Sequence, residues 1–94
     1  MKSNKEKSSK DLTSLNDPSL VWSTYDLGVS TALLCAGFEL LAVQKGDPRK
    51  ALFVFKKESG IEETANKYFS DRLNVKARSF FDHLKALKNK LYSE

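Results

Sequence analysis

The sequence predicts an α+β fold: an antiparallel β-hairpin, with room for a short third strand ahead of it, covered by three helices in the order (β)αββαα. Three observations predict it. The runs "FELLAVQ" and "KALFVFKK" flank "KGDPR", so two apolar stretches bracket a segment of turn residues. The segment "TYDLGVSTALLCAG" is apolar on most sides and ends on a glycine, the residue that most readily takes a left-handed helix stop. Ala77, Phe80, Leu84, Leu87 and Leu91 recur at helical spacing over the last twenty residues, which marks a helix with one packed face.

The first 18 residues, "MKSNKEKSSKDLTSLNDP", hold four lysines, three acids, four serines and only two leucines. Too little apolar surface is available there to offset the entropy of ordering, so 1–18 reads as a disordered polar tail and 19–94 as one small domain. "SLVWSTYD" (19–26) opens the domain with strand-favouring residues, and Ser23 followed by Asp26 has the spacing of a capping box. The first helix is expected over 26–36. Leu27, Ser30, Thr31 and Leu34 share one face, Val29, Leu33 and Ala36 widen the apolar surface, and Gly37 ends the helix.

The hairpin is expected to pair 38–44 with 50–56. Strict alternation puts Phe53 and Phe55 on one face and Leu52 and Val54 on the other. In the first strand it sets Phe38, Leu40 and Ala42 against Leu41 and Val43. Neither face is polar, so both need cover; helices supply one side, and a third strand, a further helix or a second copy of the chain supplies the other. In "KESGIEETANKYFSDR" Ser59 and Glu62 again have capping-box spacing, and Ile61, Ala65, Tyr68 and Phe69 form an amphipathic pattern. A connector at 73–75 leads to the last helix, about 76–92, which Asn74 is placed to cap.

Net charge is +4, and residues 74–92 alone carry five cations, Lys76, Arg78, Lys85, Lys88 and Lys90, against one acid, Asp82. At about 100° per residue, Arg78, Phe81, Lys85, Lys88 and Tyr92 fall on one side of the last helix, beside its leucine stripe. Phosphates need cations, and unpaired bases need exposed aromatic faces. Lys76, Arg78, Lys85, Lys88, Lys90 and Tyr92 are therefore the candidate nucleic-acid-binding residues. The competing expectation is that Phe81 belongs to the core while the lysines lie solvated along apolar surface.

Enzyme chemistry has little to stand on. His83 is the only histidine and Cys35 the only cysteine, the latter expected as a buried inert thiol; one cysteine makes neither an internal disulfide nor a metal site. Glu62 and Glu63 are adjacent on a helix and point apart. No phosphate loop, metal-ligand cluster or nucleophile elbow is present, so no cofactor, metal or small-molecule substrate is expected. The longest apolar run is too short to span a bilayer and no secretory h-region follows the N-terminus, so a cytoplasmic protein without membrane contact is expected.

Residues 24–92 resemble a small family of unknown function from prokaryotic and phage genomes. The likeness rests on the D-L…L-L-x-x-G-F segment (Asp26, Leu27, Leu33, Leu34, Gly37, Phe38), the F-x-F strand (Phe53, Phe55), and Tyr68, Val75, Arg78, Lys88 and Tyr92. It departs at Lys76, where the resemblance implies an acidic cap. The resemblance implies no catalytic residue and points towards a nucleic-acid or regulatory role in a phage-like or mobile-element system. A protein-interaction module, homodimer or adaptor, is the alternative.

Overall fold

The structure is a computed structural model and describes residues 17–47 and 50–93. The expectation of a disordered tail falls outside these residues, apart from Asp17 and Pro18. Asp17 already belongs to a turn: its carboxylate accepts from the Ser19 amide (2.9 Å) and hydroxyl (2.7 Å), and its carbonyl from the Leu20 amide. Six elements follow: β1 (Val21–Thr24), α1 (Leu27–Cys35), β2 (Leu40–Asp47), β3 (Lys50–Lys56), α2 (Ile61–Phe69) and α3 (Ala77–Tyr92). The architecture is the expected α+β one, with the third strand present.

The sheet has the order β1-β3-β2, with β3 antiparallel to both neighbours. The last strand in sequence thus occupies the centre. Phe53 and Phe55 point to the helix side, as alternation requires, and meet Thr24 and Trp22 of β1 in register. Along β2 strict alternation fails. Leu40 pairs with Phe55 and Ala42 with Val54, so Leu41 is an extra residue bulged out of the ladder. The bulge reverses the parity: Leu40 and Val43 both join the core, and Ala42 faces away, contrary to the expected split. A second irregularity lies between Gln44 and Asp47, and β2 runs to Asp47 rather than ending at 44.

α1 is the central helix of the second layer, and α2 and α3 each pack on it. Val29, Ser30, Thr31, Ala32 and Leu33 are all buried, as a helix apolar on most sides must be. The two hydroxyls cost little there because Ser30 donates to the Asp26 carbonyl and Thr31 to the Leu27 carbonyl, both at 2.8 Å. The cap of α1 is Asp26 itself, whose carboxylate accepts from the Val29 amide at 2.9 Å. The expected box with Ser23 does not form; Thr24 Oγ1 instead accepts from the Asp26 amide. Gly37, at φ 98°, ends the helix as expected, with the Phe38 amide bonding back to Leu33 and the Gly37 amide to Leu34.

The caps of α2 and α3 also depart from expectation. Gly60, at φ 91°, caps α2 without a side-chain bond, so Ser59 and Glu62 do not pair reciprocally. Lys76, in extended backbone, is the residue before α3 and makes no side-chain cap bond; the connector spans 70–76, and Asn74 is not the cap. At the end of α2, Asp71 takes φ 59° in the position where Gly37 stands in α1, and the Arg72 amide bonds to Lys67 at 2.8 Å.

Val29 and Leu33 of α1, Ile61 and Ala65 of α2 and Leu87 of α3 close on Phe53 and Phe55, with Trp22, Leu40 and Val43 around them. All three helices therefore contribute to one cluster on one face of the sheet. The other face mixes Val21, Ala42, Leu52 and the buried Val54 with Ser23, Gln44 and Lys56, and the bulged Leu41 is exposed beside them. Among the described residues no helix is long and apolar enough to cross a membrane.

Candidate nucleic-acid interface

The leucine stripe fixes how α3 is turned. Leu87 is buried, and Phe80, Leu84 and Leu91 are half-buried, all on one side of the helix. Helical geometry then carries Arg78, Phe81, Lys85, Lys88 and Tyr92 onto a single strip facing solvent. Phe81 is 59% exposed and Tyr92 81% exposed, so neither ring is core. This settles the place of Phe81 against the alternative that it packs inward. Lys85 Nζ stands 5.9 Å from the centroid of the Phe81 ring, a cation–π contact within the strip.

The charge on the strip is only partly spent. Arg78 lies 3.8 Å from Asp82 on the next turn, with its side chain 90% exposed, a solvated pair of small energetic weight. Among the described residues, Lys85 and Lys88 have no acidic partner. The glutamates of α2 do not reach across to them: Glu62 pairs with Lys57 and Glu63 with Lys67. Lys76 is exposed just before the helix. Lys90 is exposed but set about 140° around α3 from Lys85, so the structure does not bring it onto the strip.

One cation near the strip escaped sequence reasoning. Lys45 of β2 donates to the carbonyl oxygens at the end of α3: Ser93 at 2.8 Å, Lys90 at 3.4 Å and Leu91 at 3.5 Å. These carbonyls lack helical partners and sit at the negative end of the helix dipole, so a lysine suits them. The contact ties the edge strand to the turn that presents Tyr92. No local signal marks it, because the partners lie 45 to 48 residues apart.

Among the described residues, other chemistry-bearing groups do not assemble into a second site. Cys35 is half-buried rather than enclosed, with Ser79 Oγ 3.9 Å from its sulfur. It lines an open cleft of about 460 Å³ together with Leu73, Val75 and Lys76. His83 is half-buried on α3. Among the described residues no three His, Cys, Asp or Glu side chains converge as metal ligands would.

The fold and strip define a small α+β domain in which three helices cover one face of a three-stranded sheet and the last helix displays cations and aromatic rings. Residues 21–93 match the family model described as a domain of unknown function (DUF5659), and the chain belongs to that family. No curated protein and no solved structure matches the chain.

Proposed function

We propose that this chain is a small non-enzymatic binding module that holds nucleic acid along the exposed strip of α3, as an accessory protein of a phage-like or mobile-element system. Arg78, Lys85 and Lys88 contact phosphate, with Lys76 supporting them from the connector. The observation that carries the reading is the strip itself, where lysines without an acidic partner among the described residues and solvent-exposed rings share one side of a helix whose adjoining face is packed into the core. A solvated helix face needs lysines, but it does not need a phenylalanine in water. The phage-like setting rests on the sequence resemblance.

The test is binding of labelled single-stranded and duplex oligonucleotides by the full chain at low salt. Micromolar or weaker, largely sequence-independent binding is expected, and Lys85→Glu with Lys88→Glu should abolish it. No binding at low salt, or binding indifferent to the double substitution, removes the proposal.

One observation favours a second reading, a protein-interaction module acting as homodimer or adaptor. The outer face of the sheet carries the half-buried Val21, Ala42 and Leu52, and the bulged Leu41 beside them is 39% exposed. Sedimentation at micromolar concentration tests the homodimer form. A monomer whose mass is unchanged by Leu41→Asp or Leu52→Asp counts against it.

A further inference from the structure

We infer that the α3 strip takes single-stranded nucleic acid, stacking unpaired bases on Phe81 and Tyr92, rather than a duplex. The inference rests on the nucleic-acid reading above and narrows it to a ligand class.

Phe81, Lys85, Lys88 and Tyr92 follow one another at intervals of four, three and four residues, so they run in line along the helix. The two rings stand at the ends, roughly 16 Å apart along the axis, with both unpaired lysines between them. A strand whose phosphates meet the lysines has bases free to reach a ring at either end. At about 3.4 Å per nucleotide in a stacked strand, the strip spans about five nucleotides.

A duplex would use the lysines but leave the rings idle. Its bases are already stacked on one another, and only their edges are presented in the grooves. Both rings stay open to solvent although the leucine stripe adjoins them: Phe81 is 59% and Tyr92 81% exposed, and along the strip their neighbours are Arg78, Lys85 and Lys88. The Lys85 ammonium beside the Phe81 ring gives that end of the strip both a stacking face and a phosphate contact. Lys45 holds the backbone at the end of α3, on either side of Tyr92.

The experiment compares four ligands of about ten nucleotides by fluorescence anisotropy at low salt: single-stranded DNA, single-stranded RNA, a DNA duplex, and an abasic strand with the same phosphates. With the unaltered full chain, the base-bearing single strands should bind at least tenfold tighter than the duplex and the abasic strand. Phe81→Ala and Tyr92→Ala should each weaken binding of the base-bearing strands about 5- to 100-fold, leaving the abasic strand unaffected. Equal affinity for abasic and base-bearing strands overturns the inference while leaving phosphate binding intact. A preference for duplex also overturns it. Failure of every ligand to bind removes the broader reading instead. Sedimentation of the same variants covers the rival use of the rings: a fall in mass on Phe81→Ala would assign the strip to self-association and overturn the inference. The comparison of abasic and base-bearing strands needs no substitution, so it holds even if a variant folds poorly.

Discussion

Gly28→Ala tests how α1 and α2 are fitted together. Gly28 lies in the first turn of α1, where Tyr68 of α2 comes down on it. A Cβ at Gly28 would fall inside the hydroxyl oxygen of Tyr68 and 3.0 Å from its Cζ. A tyrosine ring is rigid, so the overlap must be relieved by moving the ring or the helix. Overpacking of this kind costs roughly 1–3 kcal/mol. Alanine returns up to about 1 kcal/mol of helix propensity, which leaves a net loss of up to about 2 kcal/mol. In a Tyr68→Phe background the worst overlap is gone and the tighter-than-usual contacts with Cζ (3.0 Å) and the Asp26 carboxylate oxygen (3.2 Å) remain, so the loss should shrink markedly. The coupling between the two substitutions should therefore exceed about 0.5 kcal/mol, the level at which independent sites stop adding. Urea unfolding followed by far-UV circular dichroism measures all four corners of the cycle. For a domain of this size, a loss of 1 kcal/mol lowers Tm by about 4–8 °C. An equal cost of Gly28→Ala with tyrosine or phenylalanine at position 68 would refute the argument from close approach.

Three cations on the strip give a single-strand salt slope of about −2, so affinity should fall about 20-fold between 50 and 200 mM salt; Lys85→Gln with Lys88→Gln should cut that to about threefold, read by anisotropy. At Asp71, in left-handed backbone at φ 59°, Gly should be more stable than Ala by about 1 kcal/mol, with Asp between them, measured by thermal unfolding. Lys45→Met should cost about 0.5 kcal/mol and speed amide exchange in the last turn of α3, as seen by hydrogen-exchange NMR. The Asp17 carboxyl is held below its ordinary value near 3.8, first by the Ser19 amide and then by the Ser19 hydroxyl. Its stabilising effect is complete above the ordinary value and is lost as pH falls through the lowered one. Ser19→Ala should raise the NMR titration midpoint of Asp17 towards the ordinary value.

Much of this architecture can be read in the sequence because periodicity and turn residues act locally. The Phe53 and Phe55 alternation, the stop at Gly37 and the leucine stripe of α3 each depend on residues within a turn or two of one another. The misreadings come from competition that local patterns do not reveal. Ser23 and Ser59 have capping-box spacing, yet Asp26 and Gly60 take the cap positions because the backbone entering each helix places them there. The parity of β2 is lost at Leu41, where register with β3 requires one residue more than strict alternation provides. On the candidate site, helical geometry collects Arg78, Phe81, Lys85, Lys88 and Tyr92, but whether Phe81 faced the core depended on how far the packed face extends. Lys45 joins the end of α3 only through the tertiary fold, and no spacing rule connects residues so far apart.

The placing of β3 between the other two strands has a consequence for the order of assembly. Trp22 finds its partner only at Phe55, so the opening strand has nothing to pair with until nearly the whole sheet has been synthesised. The β2–β3 hairpin is local and closes on the microsecond scale, providing the template. Docking of β1 is then a late, long-range event, the kind that carries a loop-closure penalty and slows folding.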